Sequence, residues 1–220
     1  LRDTGIGAAP FPYWDAGAWG ADWVSTIDGD TIVSYAQGGY GLVRVWQMGA
    51  DYSLTRVRDI ASPDTVYDAA VHGRSIIVDG NYLGIGSPLT FLGGAHDGQF
   101  YTYNLTTGAK ITQFNPQPHW AQYFGSYASI SRERNFYVVD EGGNSGWGTS
   151  SAITVYAYDP TTLATTQIGR QVFQSSYSYH HAAPVVVGDT VVASYYLGAE
   201  QRYGLQTWKI TTDGLSLIHI

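Results

Sequence analysis

The residue types best suited to chemistry are concentrated in one short segment, Tyr177–His181, which reads Tyr-Ser-Tyr-His-His. An imidazole can ligate a metal ion or act as a general base, and tyrosine and aspartate are common partners in such sites. Neighbouring side chains of an extended segment point to opposite sides, so at most one of His180 and His181 can face a shared site. His180 and His181 are therefore candidate catalytic residues, of which at most one can serve the site, while the identity of any metal or other cofactor stays unknown.

Two clusters of carboxylates offer a second kind of chemistry. The segments 28–30 (Asp-Gly-Asp) and 140–144 (Asp-Glu-Gly-Gly-Asn) carry oxygen atoms that a calcium ion could use, but neither has the spacing of an EF-hand loop. Aspartate, asparagine and glycine are also typical of turns. We expect both clusters to form turns.

Three further histidines, His72, His96 and His119, are isolated from one another in the sequence. A single histidine in a loop is more often solvated or hydrogen-bonded than bound to a metal. We expect none of the three to be a ligand.

Composition and missing motifs exclude several classes of protein. The chain has no Gly-x-Ser-x-Gly elbow, no His-Glu-x-x-His motif, no phosphate-binding glycine loop and no cysteine. A net charge of -7 with only two lysines argues against nucleic acid as a partner. The sequence contains no run of 18 apolar residues, so it predicts no membrane-spanning helix. The first residues lack a starting Met and a signal peptide, so we expect the true N-terminus to lie outside this sequence.

The elements that position these residues follow a repeat. Four short strands end on an aromatic residue, at Trp46, Tyr103, Tyr158 and Trp208, in steps of 57, 55 and 50 residues. Each aromatic precedes a polar turn segment. Upstream of it we predict a second strand opened by a charged residue, at 30–34, 74–78, 134–139 and 189–193, and before that an inner segment rich in small residues, at 24–27, 68–71, 127–130 and 182–186. Four strands per repeat of about fifty residues are typical of a β-propeller blade.

The predicted fold is therefore all-β: a β-propeller of about four four-stranded antiparallel blades that form an incomplete ring. A β-sandwich, or hairpins with accidental spacing, is the alternative, but sandwich strands seldom recur in groups of four that share one turn. The expected division is 1–21 for an N-terminal segment or the remnant of a preceding blade, 22–60 for blade 1, 61–115 for blade 2, 116–173 for blade 3, 174–214 for an incomplete blade 4, and 215–220 for a cloning scar.

The scar is expected because residues 215–220, Leu-Ser-Leu-Ile-His-Ile, are also the translation of a transposon-end adapter used in shotgun sequencing. We interpret the chain as a metagenomic fragment of a larger ring of six to eight blades, and give His219 no role. A native outer strand is the alternative, since the alternation of the six residues allows one.

Two segments resemble the pyrroloquinoline-quinone-type repeat of the quinoprotein-like propellers. Residues 183–192 (Ala-Pro-Val-Val-Val-Gly-Asp-Thr-Val-Val) resemble the entry into its inner strands, and residues 98–108 resemble its Gly-x-Leu-Tyr-Ala-Leu-Asp-x-x-Thr-Gly segment. The chain departs from that repeat in lacking the Trp beyond Thr-Gly, with Phe114 nearest to it, and in lacking the vicinal cysteines of the alcohol dehydrogenases. The resemblance therefore implies the fold and carries over neither quinone binding nor dehydrogenase activity.

In a propeller the ends of the inner strands face the axial channel, which brings equivalent positions of the blades together. His180 and His181 could then meet Tyr67 and Asp68, our other candidate catalytic residues, and the pairs at 22–23 and 126–127. Aromatic residues at the same level, Trp23, Tyr127 and Tyr179, are candidate ligand-binding residues, because such rings stack on sugars or anchor proteins. Packing between blades is the alternative role for them.

Two functions remain open at this point. The one that we favour slightly is a noncatalytic binding or scaffold module for a protein or carbohydrate ligand, and the other is a channel-sited enzyme, a metal-dependent hydrolase or an oxidoreductase. Low charge density, many Thr, Ser and Tyr residues and an Asn104-Leu105-Thr106 sequon favour an extracellular, cell-surface or periplasmic location.

Overall fold

A computed structural model of the chain describes residues 25–36, 41–63, 72–88, 91–92, 95–96, 98–115, 124–141, 152–172, 183–197, 202–211 and 214–218. These residues form four four-stranded antiparallel sheets, which we call blades 1 to 4 in chain order, and a small two-stranded sheet.

The strands of blades 1 and 2 run up and down in sequence order, and the two-stranded sheet lies between the second and third strands of blade 2. They are β1 (Ser25–Asp28), β2 (Thr31–Ala36), β3 (Leu42–Met48) and β4 (Leu54–Ala61) in blade 1; β5 (Ser75–Asp79), β6 (Tyr82–Ser87), β9 (Gln99–Asn104) and β10 (Lys110–Phe114) in blade 2; and β7 (Phe91–Leu92) and β8 (Ala95–His96) in the small sheet.

Blades 3 and 4 repeat the same meander, and a short 3₁₀ helix, Arg132–Arg134, joins the first two strands of blade 3. Their strands are β11 (Ala128–Ser131), β12 (Phe136–Glu141), β13 (Ala152–Tyr158) and β14 (Thr165–Val172) in blade 3, and β15 (Ala183–Val187), β16 (Thr190–Leu197), β17 (Arg202–Thr211) and β18 (Gly214–Ile218) in blade 4.

The turn that follows each aromatic strand has the chemistry that its sequence predicts. In blade 2, Asn104 accepts a hydrogen bond from the Thr107 amide at 2.8 Å, and Gly108 takes a φ of +73°. In blade 3, Asp159 accepts from the Thr161 amide at 2.8 Å, and Leu163 takes a φ of +62°. In both hairpins, a short side chain at the first turn position accepts a backbone hydrogen bond, and a residue near the end of the turn has a left-handed backbone conformation. These two features fix the turn.

The blades stack side by side around an axis. The first strand of each blade is innermost: β1 lies against β5, β5 against β11 and β11 against β15. A separate apolar cluster fills each of the three spaces between neighbouring blades. Successive four-stranded meanders with adjacent inner strands and apolar faces packed together are the architecture of a β-propeller, here an incomplete one, as the sequence predicts.

Each blade thus has two faces, and we call the one toward the preceding blade its leading face and the other its trailing face. The repeated aromatic always lies on the leading face: Tyr103 packs on blade 1, Tyr158 on blade 2 and Trp208 on blade 3. Tyr158 stacks on Tyr82 of blade 2, with ring centroids 4.6 Å apart and planes 27° from parallel. The aromatic spacing found in the sequence is therefore an inter-blade packing signal.

Blade 2 differs from the sequence-based prediction in its first two strands. The segment 74–78, expected as the second strand, forms β5 and lies innermost, while β6, which contains Gly84 and Gly86, was not predicted. Glycine is depleted in strands, so this segment has a weak strand signal. The predicted inner segment 68–71 lies outside the described residues.

Blade 4 differs in its last strand, because it was predicted to be incomplete and the structure gives it β18. Leu215 pairs with Ile210 and packs on the apolar cluster between blades 3 and 4. Gly214, at a φ of +124°, makes the turn that brings this strand back along β17. Alternating Leu215 and Leu217 suit a strand whatever the origin of residues 215–220, and that origin stays a prediction.

Candidate functional site

The inner strands run in one direction, so the blades have a start end, where β5 and β11 begin, and a finish end, where β1, β5 and β11 stop. The two ends differ in what their polar groups do. At the finish end, Arg132 of blade 3 forms an ion pair with Asp28 of blade 1, with Nη1 2.9 Å from Oδ1. Its Nη2 donates to the Ile27 carbonyl at 2.9 Å, and its Nε donates to the Val78 carbonyl of blade 2 at 3.0 Å. One guanidinium thus ties three blades together.

Further bonds join the blades at the finish end, among them two to aspartate side chains. The Tyr158 hydroxyl of blade 3 donates to Asp79 Oδ2 of blade 2 at 2.6 Å, and the Gly80 amide of blade 2 donates to Asp28 Oδ2 of blade 1 at 2.5 Å. Burial, followed by this hydrogen bond to Asp79, raises the pKa of Tyr158. The finish end is therefore held by structural contacts.

The start end is where polar side chains are buried. Of the ten buried polar or charged residues among those that the structure describes, only Thr102 and Ser131 lie elsewhere. The eight at the start end of blades 2 and 3 are His72, Ser75, Ser87, Gln99, Ser126, Asp140, Glu141 and Thr154. Buried polar groups weaken a fold unless they are paired, so their accumulation at one end marks that end as the candidate site.

Tyr127 is the predicted site residue that the structure describes, and it lies at this end, directly before β11. Its amide donates to Asp140 Oδ1 at 2.7 Å, and its carbonyl accepts from the Asp140 amide at 3.0 Å. The preceding Gly125 accepts from the Ser75 hydroxyl of blade 2 at 2.7 Å and donates its own amide to the Asp140 carbonyl at 3.0 Å. The backbone that carries Tyr127 is therefore fixed to both blades, while its side chain is 37% exposed.

Glu141 follows on the same strand as Asp140 and is 1% exposed. Arg170 holds its carboxylate by two parallel bonds, Nε to Oε1 at 2.9 Å and Nη2 to Oε2 at 2.6 Å, and the Thr154 hydroxyl donates to Oε1. A bidentate arginine compensates the cost of burying a carboxylate. Burial, and then the charge of Glu141, raises the pKa of the adjacent Tyr156. This carboxylate is therefore committed to a structural ion pair.

His72 precedes β5 and is fully buried against the leading face of blade 2. Its ring meets those of Tyr101 and Tyr103 edge-on, with centroids 5.5 Å and 6.2 Å away. Within the described part of the chain neither ring nitrogen has a hydrogen-bond partner. Burial lowers the pKa of His72 to about 3. The prediction of a solvated or hydrogen-bonded residue was wrong, because the imidazole packs as a neutral ring.

The other predicted site residues, His180, His181, Asp68, Tyr67, Trp23 and Tyr179, lie outside the described residues, and their roles stay predictions. The structure adds Asp140 and Glu141, which the sequence analysis assigned to a turn. That assignment was wrong for these two residues, since both belong to β12. The signal that was missed is that they directly continue the apolar run that ends at Val138 and Val139, before the first glycine of the cluster.

No three His, Asp or Glu side chains come together as metal ligands in the part of the chain that the structure describes. Among the same residues, no helix is both long enough and apolar enough to cross a membrane.

Neither the protein-family models nor the curated proteins give a match to this sequence. Solved structures do match. A protein from Lactobacillus plantarum matches with a TM-score of 0.58 and 18% identity over 86% of this chain and 53% of its own. The β-propeller domain of the Trilobed protease from Pyrococcus furiosus matches with a TM-score of 0.47 and 8% identity over 90% of this chain and 57% of its own.

An exo-1,5-α-L-arabinanase from a bovine ruminal metagenomic library gives a TM-score of 0.46 and 13% identity over 98% of this chain and 85% of its own. At these identities a likeness concerns the fold alone. The chain spans about half the length of the Lactobacillus plantarum protein. The four stacked meanders place the protein in the class of β-propellers, and the chain forms an arc of one.

Proposed function

We propose that the chain is a noncatalytic binding module of a secreted or cell-surface β-propeller, and that its ligand, a protein or a glycan, meets the start end of the blades. The observation that carries this proposal is Tyr127, a partly exposed ring on a backbone bonded to two blades. A ring on a rigid support loses little conformational entropy on binding, which is why such residues act as anchors.

The state of the nearby carboxylates supports binding over catalysis at this place. Asp140 is buried and accepts the Tyr127 amide, and Glu141 is paired with Arg170. A general base must be able to reach a substrate proton, whereas these two groups serve the fold. The formal net charge of -7 further favours a neutral or basic ligand over an acidic one.

The test compares Tyr127→Ala with Tyr52→Ala, which removes a 73% exposed tyrosine from the turn between β3 and β4. Fluorescently labelled protein is applied to an array of neutral oligosaccharides, and bound glycans are titrated by calorimetry. We expect Tyr127→Ala to weaken binding about tenfold or more, the loss of one stacked ring, and Tyr52→Ala to leave it unchanged.

Equal binding by the two variants would contradict a site at Tyr127. An assay for newly released reducing ends detects any shortening of the bound glycan. If the glycan is shortened, the protein is an enzyme and not a noncatalytic binding module.

A further inference from the structure

The turn between β9 and β10 carries a motif that the proposed binding role does not use. Residues 104–106 read Asn-Leu-Thr, the acceptor motif for N-linked glycans, which occurs once in the sequence. β9 runs toward the finish end, so the turn lies at that end, between the third strand of blade 2 and its outermost strand. Asn104 is partly exposed and Thr106 is exposed. The motif therefore lies at the surface, on the outer half of its blade.

The fold uses the oxygen of the Asn104 side chain and not its nitrogen. Oδ1 accepts from the Thr107 amide at 2.8 Å, whereas Nδ2 has no partner in the part of the chain that the structure describes. In the equivalent turn of blade 3 the carboxylate of Asp159 has the same role and accepts from the Thr161 amide at 2.8 Å. The turn therefore needs only an acceptor oxygen at this position, and the amide nitrogen of Asn104 is available for another purpose.

The backbone of the motif is held by contacts on two sides. Asn81 Oδ1 accepts from the Thr106 amide at 2.7 Å, and the Arg58 guanidinium of blade 1 donates to the carbonyls of Thr106 and Thr107. A glycan is bulky and hydrophilic, so only a surface position tolerates one. None of these contacts uses Asn104 Nδ2, and a glycan attached to that atom would leave each of them unchanged.

We infer that Asn104 is a site of N-linked glycosylation, an inference that rests on the secreted location proposed above. In the reaction Nδ2 bonds to the anomeric carbon of a lipid-linked oligosaccharide, and the bond from that carbon to the pyrophosphate oxygen breaks. The lipid pyrophosphate leaves with the bonding electrons, and one amide proton passes to a base of the transferase. Thr106 is the hydroxyl residue that the motif requires two positions after the asparagine, and Leu105 between them is not proline.

The modified residue and the proposed ligand site lie at opposite ends of the blades. β9 begins with Gln99 at the start end and ends with Asn104 at the finish end. An extended strand rises by a little over 3 Å per residue, so the two positions are about 17 Å apart. A glycan on Asn104 therefore leaves the start end, with Tyr127, open to its ligand.

The test secretes the full chain from a eukaryotic cell line behind a cleavable signal peptide and measures its intact mass before and after digestion with peptide N-glycosidase. We expect most molecules to carry one glycan, which peptide mapping places on Asn104. Asn104→Asp keeps the acceptor oxygen that blade 3 uses, so this variant is expected to fold and to lose the whole mass shift. Thr106→Val is expected to lose it as well, whereas Thr106→Ser keeps it.

The equivalent turn of blade 3 supplies the matched control, because residues 159–161 read Asp-Pro-Thr. Asp159→Asn alone leaves proline in the middle of the motif, which bars the reaction, so this variant is expected to keep a single glycan. Asp159→Asn combined with Pro160→Leu copies the blade 2 motif into the same kind of turn, and a second glycan is expected.

A chain that stays unmodified would overturn the inference, and a glycan on the blade 3 double variant from the same cells would show that those cells were competent. A mass shift that survives Asn104→Asp would overturn it too. The proposed binding function is measured apart from this, with the Tyr127→Ala comparison made on digested protein. Failure of the modification and failure of the binding function are therefore separate results.

Discussion

His72 shows at the scale of one residue how burial changes what a side chain does. An imidazole next to a strand looks like a loop residue in the sequence, because its burial comes from Tyr101 and Tyr103, about thirty residues further along. These two tyrosines in turn belong to the apolar cluster between blades 1 and 2. The same reason hid Glu141, whose partner Arg170 lies on another strand. Residue roles that depend on contacts between strands could not be read from local patterns.

Acid is expected to destabilise the protein through His72. The unfolded chain binds a proton on this residue near pH 6.5, while the folded pKa is about 3, so stability is complete above pH 6.5 and falls as the pH drops from there toward 3. At about pH 4.5 the loss is about 2 to 3 kcal/mol. His72→Phe keeps a ring between the tyrosines and removes this proton. Urea unfolding of both proteins at about pH 7.5 and about pH 4.5 gives the difference, and an equal acid loss in the two would contradict the assignment.

At the scale of one element, β6 explains a failed prediction. Its two glycines weaken the strand signal in the sequence, yet the blade needs them. A Cβ on Gly84 would lie 2.6 Å from Phe100 Cζ, and one on Gly86 would overlap the Gly125 carbonyl oxygen of blade 3. The strand has no side chain at these points because a ring and a neighbouring backbone occupy the space. Strands rich in β-branched and aromatic residues, such as β12 and β13, were found from sequence.

Gly86→Ala is expected to lower the free energy of unfolding by about 2 to 4 kcal/mol, because the backbone of two blades must move apart. Gly169→Ala is the matched control, since Gly169 is also a strand glycine and its added methyl would touch Leu215 Cγ at an ordinary 3.4 Å. Chemical denaturation of the two variants measures the contrast. A loss of similar size at both positions would show that strand glycine as such, and not the close approach of Gly125, sets the cost.

At the scale of the whole molecule, the four-blade arrangement was predictable from four aromatics at steps of 57, 55 and 50 residues. The spacing works because each ring fills the same place between two blades. The spacing could not predict the long-range contact of Arg132, whose guanidinium donates a hydrogen bond to the carbonyl of Ile27, 105 positions earlier in the sequence. No repeat contains it, so no pattern indicates it.

Arg132→Ala is expected to cost about 1 to 2 kcal/mol, a value reduced because this side chain is 40% exposed and its ion pair is partly screened. Arg134→Ala removes an exposed arginine from the same 3₁₀ helix and serves as the control. Urea unfolding of both variants in low and high salt separates the contributions. An equal effect of the two substitutions would mean that the tie between blades adds nothing to stability.

The ion pair between Arg132 and Asp28 also sets a distance between two blades. Blades 1 and 3 are not neighbours, so the reach of one guanidinium from blade 3 to Asp28 fixes the chord across blade 2 at that end. The chord and the width of a blade together determine how sharply the arc bends. Arg132 therefore restrains the distance between blades 1 and 3 at this end, and a shorter side chain at position 132 would leave the bend of the arc to the packing of blade 2 alone.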